Sequence, residues 1–427
     1  MPLLARPQLV LSLVCPIVLS VCLITPSQAQ TFTVLHNFTG GADGYDPSAG
    51  LTIDRAGHLY GTTLFGGYTG GTCAGFGCGT VFRLIQQGSG WLFTPLYSFQ
   101  GAGDGSVPSA GVVFGPNGRL YGATQYGGND QCSAPYGCGT IFDLAPPAHA
   151  CGRALCAWTE TVDYRFNGGI SAESPTGNLI FDGAGNIDAT AAGGGLPNCY
   201  AGTTCGVVYE LSPSRGGWGE TDLYSFTAGN DGYLPASGVI RDQAGNLYGT
   251  ALYGGDNGCG TVFQLTPSGS GWSETTLRDL QSQTDGCGPN ELIADPQGNL
   301  YGTDRRNGPN GGGTVFELTK LSGGGFSFRV LYAFSGMPGG PMAGLTMDSA
   351  GNLYGTTYQN GAHNYGSVFK LTKAGSGWTY SDLYDFTGGS DGAYVMSTVT
   401  IDANGNLYGT ASEGGTYANG VIWKITP

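Results

Sequence analysis

The sequence has 427 residues, with 80 glycines, 22 prolines and a formal net charge of −14. The acidic balance and the lack of a basic stripe argue against a nucleic-acid partner, because such proteins neutralise phosphates with Lys and Arg. The glycines recur in register with aromatic residues, so the composition indicates a tandem repeat rather than a disordered chain.

The first 29 residues have the pattern of a secretory signal peptide. Arg6 precedes an almost wholly apolar run at residues 9–24, and Ser-Gln-Ala at residues 27–29 is a small-x-small cleavage signal. The run is shorter than the about 20 residues that a membrane span needs. We therefore expect an exported protein that is periplasmic, secreted or on the cell surface. Its mature part, residues 30–427, is expected to be a monomeric single domain without a membrane span.

One phrase, typified by Gly-Asn-Leu-Tyr-Gly-Thr, returns seven times. The copies lie at residues 56–62, 117–122, 184–187, 244–250, 297–303, 350–356 and 404–410. Each unit contains four short runs of β-branched and aromatic residues between turn residues, which predict strands a to d. A repeat of this length with four strands is typical of a β-propeller blade. The sequence thus predicts an all-β, seven-bladed propeller with blades that start near residues 49, 110, 177, 237, 291, 343 and 397.

The two ends of the mature chain are complementary. Residues 31–38 have the pattern of a d strand, whereas residues 420–426 have the pattern of a c strand. We expect the N-terminal strand to complete the last blade, since this pairing removes both open sheet edges.

These motifs resemble those of a known family. Leu-Tyr-x-Phe-x-x-x-x-Asp-Gly, Asp-x-x-Gly-Asn-Leu-Tyr-Gly-Thr-Thr and Gly-Thr-Val-Phe-x-Leu-Thr recur through residues 34–427 and are similar to the Gloeo/Verruco tandem repeat of exported bacterial choice-of-anchor proteins. Blades 3 and 6 depart from the pattern at residues 186–189 and 337–340. The resemblance implies a propeller with a secreted or cell-surface life, and it implies no particular reaction.

Six blades carry an aspartate in the turn between strands a and b. They are Asp54, Asp182, Asp242, Asp295, Asp348 and Asp402. The Gly-Asn that follows favours an Asx-type turn cap over a metal-binding ring.

Ten cysteines remain after the signal peptide, an even number that fits an oxidising compartment. Loop positions predict the pairs Cys73–Cys78, Cys132–Cys138, Cys199–Cys205, Cys151–Cys156 and, across the junction of blades 4 and 5, Cys259–Cys287. These five disulfides are interpreted as reinforcement of long loops, and they leave no free thiol for catalysis.

Asp-Gly pairs precede strand a in five blades. The aspartates are Asp43, Asp104, Asp231, Asp285 and Asp391. The favoured interpretation is a tight bend. The alternative is a weak Ca²⁺ site at the channel mouth; otherwise no cofactor is predicted.

Blade 5 is the one place where charge interrupts the repeat. Glu291 stands at the head of strand a, and Asp304-Arg305-Arg306 replaces a neutral stretch. We expect these residues to lie near Asp285. An Arg pair there can bind a carboxylate or a sugar, whereas the simpler interpretation is a solvated salt-bridge cluster. Aromatic residues of neighbouring blades are either stacking platforms for a sugar or lids over the blade ends: Phe65, Tyr126, Tyr253 and Tyr358.

The sequence contains no motif of a nucleophile elbow, a zinc site or a phosphate loop, and only four histidines. The leading hypothesis is an exported, non-catalytic recognition or scaffold propeller for extracellular glycan or a surface protein. The alternative is a channel-site enzyme of the lyase or lactone-hydrolase type. A quinone-cofactor dehydrogenase is a third possibility that requires a channel wide enough for a tricyclic cofactor.

Overall fold

The computed structural model describes residues 30–132, 136–147, 158–199, 203–269, 271–336, 339–375 and 377–427. It contains seven antiparallel sheets that form the blades of a β-propeller. The predicted signal peptide, residues 1–29, and the predicted Cys151–Cys156 pair lie outside the described residues. Within the described part, no helix is long and apolar enough to cross a membrane.

The described residues form thirty strands, β1 to β30, and one 3-10 helix (Gly71–Cys73), which follow in chain order. The closing strand and the first two blades comprise β1 (Thr31–Asn37), β2 (Thr52–Ile53), β3 (Leu59–Thr63), β4 (Thr80–Gln87), β5 (Gly90–Ser98), β6 (Val113–Phe114), β7 (Leu120–Thr124), β8 (Thr140–Ala145) and β9 (Thr159–Arg165). Blades 3 and 4 comprise β10 (Glu173–Pro175), β11 (Ile180–Phe181), β12 (Ile187–Gly193), β13 (Val207–Ser214), β14 (Gly217–Ser225), β15 (Ile240–Arg241), β16 (Leu247–Ala251), β17 (Thr261–Ser268) and β18 (Gly271–Asp279). Blades 5 to 7 comprise β19 (Cys287–Pro289), β20 (Ile293–Ala294), β21 (Leu300–Arg306), β22 (Gly311–Lys320), β23 (Phe326–Ser335), β24 (Thr346–Met347), β25 (Leu353–Thr357), β26 (Ser367–Ala374), β27 (Gly377–Asp385), β28 (Thr400–Ile401), β29 (Leu407–Ala411) and β30 (Val421–Thr426).

The ring closes as predicted. Strand β1 pairs antiparallel with β30, from Thr31 opposite Thr426 to Asn37 opposite Val421, and completes the four-stranded sheet of blade 7. The hydroxyl of Thr410 in blade 7 donates to the carbonyl of Ala49 in blade 1 at 3.1 Å. The last blade is therefore joined to the first both by its sheet and by a contact between blades.

The repeated phrase has a physical explanation in strand b. A Cβ atom on Gly249 would lie 2.6 Å from the ring of Phe263, its cross-strand partner in strand c, so only glycine lets this buried ring pack there. The preceding Tyr248 donates its hydroxyl to the turn aspartate Asp242 at 3.0 Å. The following Thr250 donates to the carbonyl of Asn290 in the next blade at 3.0 Å.

The turn aspartates have the predicted capping role. Asp242 accepts hydrogen bonds from the backbone N–H groups of Ala244 and Asn246, both at 2.9 Å. Burial tends to raise the pKa of Asp242, but the hydrogen bonds from Asn246, Tyr248 and Ala244 outweigh it and hold the pKa below its ordinary value. The carboxylate of Asp242 is thus occupied by hydrogen bonds that stabilise its own turn.

Loops b–c and d–a meet on one face of the ring, which we call the upper face; the a–b and c–d turns form the lower face. Contacts between the backbones join the two upper loops, for example the N–H of Leu64 donating to Asp46 at 3.0 Å. Four of the predicted disulfides are present in these loops: Cys73–Cys78, Cys132–Cys138, Cys199–Cys205 and Cys259–Cys287. The last one links blade 4 to blade 5 with its Cα atoms 4.4 Å apart.

Candidate functional site

The central channel narrows to a neck where the heads of the seven a strands meet. The neck position is occupied by Gly50, Gly111, Asn178, Gly238, Glu291, Gly344 and Thr398. A Cβ on Gly111 would lie 3.0 Å from the carbonyl oxygen of Gly50, so neighbouring backbones are close together here. The neck encloses about 130 Å³, less than the roughly 300 Å³ at which small-molecule pockets begin.

Two of the non-glycine residues at the neck bridge the channel. The side-chain amide of Asn178 in blade 3 donates to both carboxyl oxygens of Glu291 in blade 5, at 2.9 and 3.1 Å. The amide oxygen of Asn178 accepts the backbone N–H of Gly111 in blade 2 at 3.2 Å. Burial raises the pKa of Glu291, although the bond from Asn178 acts in the opposite direction. The pair ties three blades together and occupies the neck.

A cation lies beside the neck. Arg305, near the end of β21, lines the neck cavity and donates its Nε–H to the side-chain oxygen of Asn290 at 2.7 Å. Asn290 is itself buried and donates to Thr303 at 2.8 Å and to the carbonyl of Pro341 at 3.0 Å. Burial lowers the pKa of Arg305 from its ordinary value, and the guanidinium remains a cation because that value is so high.

The terminal nitrogens of Arg305 have no hydrogen-bond or ion-pair partner in the described part of the chain. Among the described residues, Arg305 makes no ion pair within 4.0 Å, and its Nε–H is the group that bonds to Asn290. Arg305 also lines a second cavity of about 230 Å³ on the upper face, together with Tyr253, Arg306 and Met342. The guanidinium of Arg306 lies 5.8 Å from the ring centre of Tyr253. The predicted residues Arg305, Arg306 and Tyr253 are thus brought together.

Two predicted acidic neighbours of the arginines have other partners. Asp285 accepts hydrogen bonds from the guanidinium of Arg278 at 2.8 and 2.6 Å, and from the backbone N–H of Gln281 at 3.1 Å. Asp304 is buried and accepts the hydroxyl of Thr314 at 3.0 Å, while its other oxygen has no hydrogen-bond partner. Burial raises the pKa of Asp304 well above its ordinary range.

The remaining Asp-Gly aspartates close their own loops. Asp231 accepts from the hydroxyl of Tyr224 at 3.0 Å and from the backbone N–H of Thr227 at 2.8 Å, and Asp391 is bonded in the same way by Tyr384 and Thr387. Asp43 accepts from Thr39, and Asp104 from Tyr97 and Gln100. In the described part of the chain, no group of three or more His, Cys, Asp or Glu side chains is arranged to hold a metal ion.

The other predicted aromatic platforms lie in pairs on the upper face. Phe65 stacks on Tyr45 with ring centres 5.3 Å apart, and Tyr126 lies 5.4 Å from Tyr136. Tyr358 lies 5.0 Å from Tyr394, and Tyr253 lies 5.7 Å from Tyr233. Each of the four is therefore part of an aromatic pair at the end of its blade.

A family model, the Gloeobacter/Verrucomicrobia repeat, matches residues 21–201 and 275–427. The chain belongs to this family. Blade 4, which falls between the two matched regions, keeps the repeat phrase at residues 244–250 and the same four-stranded sheet. No curated protein matches the chain.

Three solved structures that match the chain have low sequence identity to it. A protein described as a 6-phosphogluconolactonase from Bacteroides uniformis has 14% identity and a TM-score of 0.49, over 79% of this chain and 83% of that one. The extracellular domain described for a one-component system of B. thetaiotaomicron has 11% identity and a TM-score of 0.51, over 92% of this chain but only 40% of that one. A gluconolactonase from Xanthomonas campestris has 14% identity and a TM-score of 0.37, over 93% and 89% of the two chains. At 11% identity, the likeness to the extracellular domain of the one-component system shows the fold alone.

Three residues of the site, Asn178, Asn290 and Met342, were not predicted from the sequence. Asn290 occupies the place that Ala49 and Ala110 hold in other Gloeobacter/Verrucomicrobia repeats of this chain, and it orients Arg305. A difference in loop length could have drawn attention to Asn290. Ten positions separate Asp285 from Asp295 in blade 5, whereas eleven separate Asp231 from Asp242 in blade 4. Asn178 is 113 residues from Glu291 in sequence, and only the closed ring brings them together.

Proposed function

We propose that this protein is an exported recognition propeller that binds a carboxylate-bearing saccharide at the upper mouth of its channel. Arg305 would bind the carboxylate, and Tyr253 and Met342 would contact the sugar ring. The proposal makes the molecule a binding protein and assigns no reaction to it.

The observation that carries the proposal is the unpaired guanidinium of Arg305. A partly buried cation without a counter-ion is costly unless an anion approaches it. Asn290 fixes the guanidinium through Nε, and among the described residues both terminal nitrogens are without a partner. A carboxylate is the anion whose two oxygens match that fork.

The upper face supplies the apolar contacts that a saccharide needs. Large apolar side chains are exposed in the loops of this face, at Tyr68, Phe76, Tyr136, Ile170, Leu196, Tyr365 and Tyr417. Aromatic rings present flat surfaces to the C–H faces of sugars, and the Tyr253 ring lies next to Arg305 in the 230 Å³ cavity. An acidic sugar therefore suits the site better than a neutral one.

Recognition is favoured over catalysis because the acid at the neck is already engaged. Both oxygens of Glu291 accept the side-chain amide of Asn178, and a general acid or base needs one of them for its substrate. The raised pKa of Glu291 is the feature that favours a channel-site enzyme. Among the described residues, however, Glu291 is not bonded to a second acid, base or metal-ligand group.

Binding of a galacturonic acid hexamer, compared with a neutral cellohexaose control, tests the proposal by titration calorimetry. We expect the acidic hexamer to bind and Arg305→Met to weaken it about tenfold or more, since a charge-assisted hydrogen bond contributes roughly 1.5–3 kcal/mol. Arg305→Lys is expected to restore only part of the affinity, because an ammonium lacks the fork.

The matched control is Arg215→Met, which removes an equal charge from an exposed turn on the lower face. Equal affinity of the wild type and Arg305→Met for the acidic hexamer would refute the site. Equal affinity of the wild type for the acidic and neutral hexamers would refute the ligand class.

A further inference from the structure

A groove of about 580 Å³ lies on the lower face between blades 4 and 5. Its floor includes Ile240, Tyr248 and Leu300, and its rim includes Ala294 and Lys320. The volume is within the roughly 300–1,000 Å³ of small-molecule sites. This groove is separate from the upper mouth that contains Arg305.

One small residue creates the groove. The residue before the a–b turn packs against the strand-b tyrosine of the preceding blade. Phe114 contacts Tyr60 edge to face with ring centres 5.3 Å apart, and Phe181 contacts Tyr121 in the same way at 5.0 Å. In blade 5 this residue is Ala294, and it leaves Tyr248 of blade 4 without that neighbour.

The other blades all fill the equivalent position with a large side chain. Ile53, Met347 and Ile401 pack in the clusters that hold Tyr408, Tyr301 and Tyr354, respectively. In blade 3 the tyrosine is replaced by Asp188, which binds Arg241 of blade 4 at 2.9 Å. Ala294 therefore leaves open a slot, the position that Phe114 and Phe181 fill with an aromatic ring in their own blades.

A second sequence difference, phenylalanine in place of tryptophan, lies beside the same slot. In blades 1, 3 and 6 a tryptophan near the start of strand d contacts the strand-b tyrosine of the preceding blade, as Trp378 does with Tyr301 at 6.2 Å. At blade 5 the corresponding residue is Phe326, 6.1 Å from Tyr248. Phenylalanine has one ring where tryptophan has two, so this side of the groove is filled by a smaller side chain, although Tyr248 itself stays buried.

The rim of the groove carries one available charge. Asp242 and Asp295 cap their own turns, and Arg241 is paired with Asp188. Lys320 is exposed, and among the described residues its ammonium makes no ion pair within 4.0 Å. The groove thus combines an aromatic-sized apolar slot with a single unpaired cation.

We propose that this groove is a binding site for an aromatic carboxylate. The ring occupies the slot beside Tyr248 that Phe114 and Phe181 fill in their own blades. The carboxylate lies at the rim and pairs with Lys320. The inference is independent of the ligand at the upper mouth.

Cinnamate is the probe, and its binding to the mature wild-type protein is followed by saturation-transfer NMR and calorimetry. We expect saturable binding at one site, and loss of at least about tenfold in affinity in Ala294→Phe, because the introduced ring fills the slot. Lys320→Gln is expected to weaken binding about threefold, as removal of an exposed ion pair does.

Matched variants separate the groove from general effects. Arg305→Met is expected to leave cinnamate affinity unchanged, and Met347→Ala, which opens the same slot beside Tyr301 with Lys373 at its rim, is expected to add a second site. Ala294→Met, which introduces the residue of blade 6, replaces Ala294→Phe if the latter does not fold by circular dichroism.

Three results would overturn the inference. Absence of saturable cinnamate binding by the wild type, or unchanged affinity in the folded variant with the filled slot, would show that the groove is not the site. Equal affinity for cinnamate and cinnamyl alcohol would show that the carboxylate is not recognised.

Discussion

Blade 4 and blade 5 share one buried frame, and they differ at the channel and at both faces. In both, the strand-b tyrosine bonds to the turn aspartate, and the threonine two residues later bonds to a carbonyl of the next blade. In blade 5 the polar or charged residues Asn290, Glu291, Asp304 and Arg305 replace small or apolar ones. The comparison shows that polar or charged residues can replace small or apolar ones at strand ends as long as the contacts between blades are retained.

The largest effect is expected from the shared frame. A valine at Gly249 in blade 4 or at Gly302 in blade 5 would collide with the ring of Phe263 or Phe316, since even a Cβ would lie 2.6 or 2.4 Å away. We expect each variant to lose about 3 kcal/mol in free energy of unfolding, which is near the largest loss usually caused by a side chain added to a packed core. Urea unfolding of the disulfide-intact protein measures the loss.

A valine at Gly271, where an added Cβ meets nothing within 4 Å, is the control and is expected to change little. If only one of the two blades were sensitive, the idea of a common frame would fail.

A smaller, opposite effect is expected from a residue that differs between the two blades. Asp304 holds a buried carboxyl group with one unbonded oxygen, whereas blade 1 has Thr63 there, bonded at 2.8 Å to Thr80. We expect Asp304→Thr to raise the free energy of unfolding by about 1–3 kcal/mol at pH 8, because it removes an unsatisfied polar group. The substitution leaves the hydroxyl of Thr314 with a partner.

The gain from Asp304→Thr should depend on pH. The folded-state pKa of Asp304 is raised above the unfolded value, so its contribution to stability is fully present below the unfolded pKa and is lost as pH rises through the folded pKa. The variant should therefore gain more over the wild type at pH 8 than at pH 4. Urea unfolding at both pH values measures this difference, and an equal gain would contradict burial of the charge as its cause.

The fold was predictable because the residues that make its main contacts recur at fixed positions in each repeat. Glycine opposite an aromatic ring, tyrosine six residues after aspartate and a d-type strand at the N-terminus each encode a local or neighbouring contact. The Cys259–Cys287 pair was predictable for the same reason, since each blade adjoins the next. These features depend on short distances along the chain or between adjacent blades.

The site was predictable only where one blade or two adjacent blades contain it. Arg305, Arg306 and Tyr253 lie together as the sequence indicated, within blade 5 and its neighbour. Asp285 was expected near the arginines, but Arg278, which stands where other blades have tyrosine, engages it. The Asn178–Glu291 bridge crosses the ring between blades 3 and 5, and strand patterns contain no information about such a contact.

The smallest effect is expected from the hydrogen bonds between blades. Thr250→Val removes the bond to the carbonyl of Asn290, and Thr356→Val removes the equivalent 2.9 Å bond to Ser397. We expect each to lower the free energy of unfolding by about 1 kcal/mol, measured by urea unfolding, because blade 2 has Ala123 at this position and the ring still closes. A clearly larger loss for Thr250→Val would mean that Asn290, which also holds Arg305, needs this bond to keep its place. The difference between the two variants thus measures how far the site in blade 5 depends on the frame it shares with blade 4.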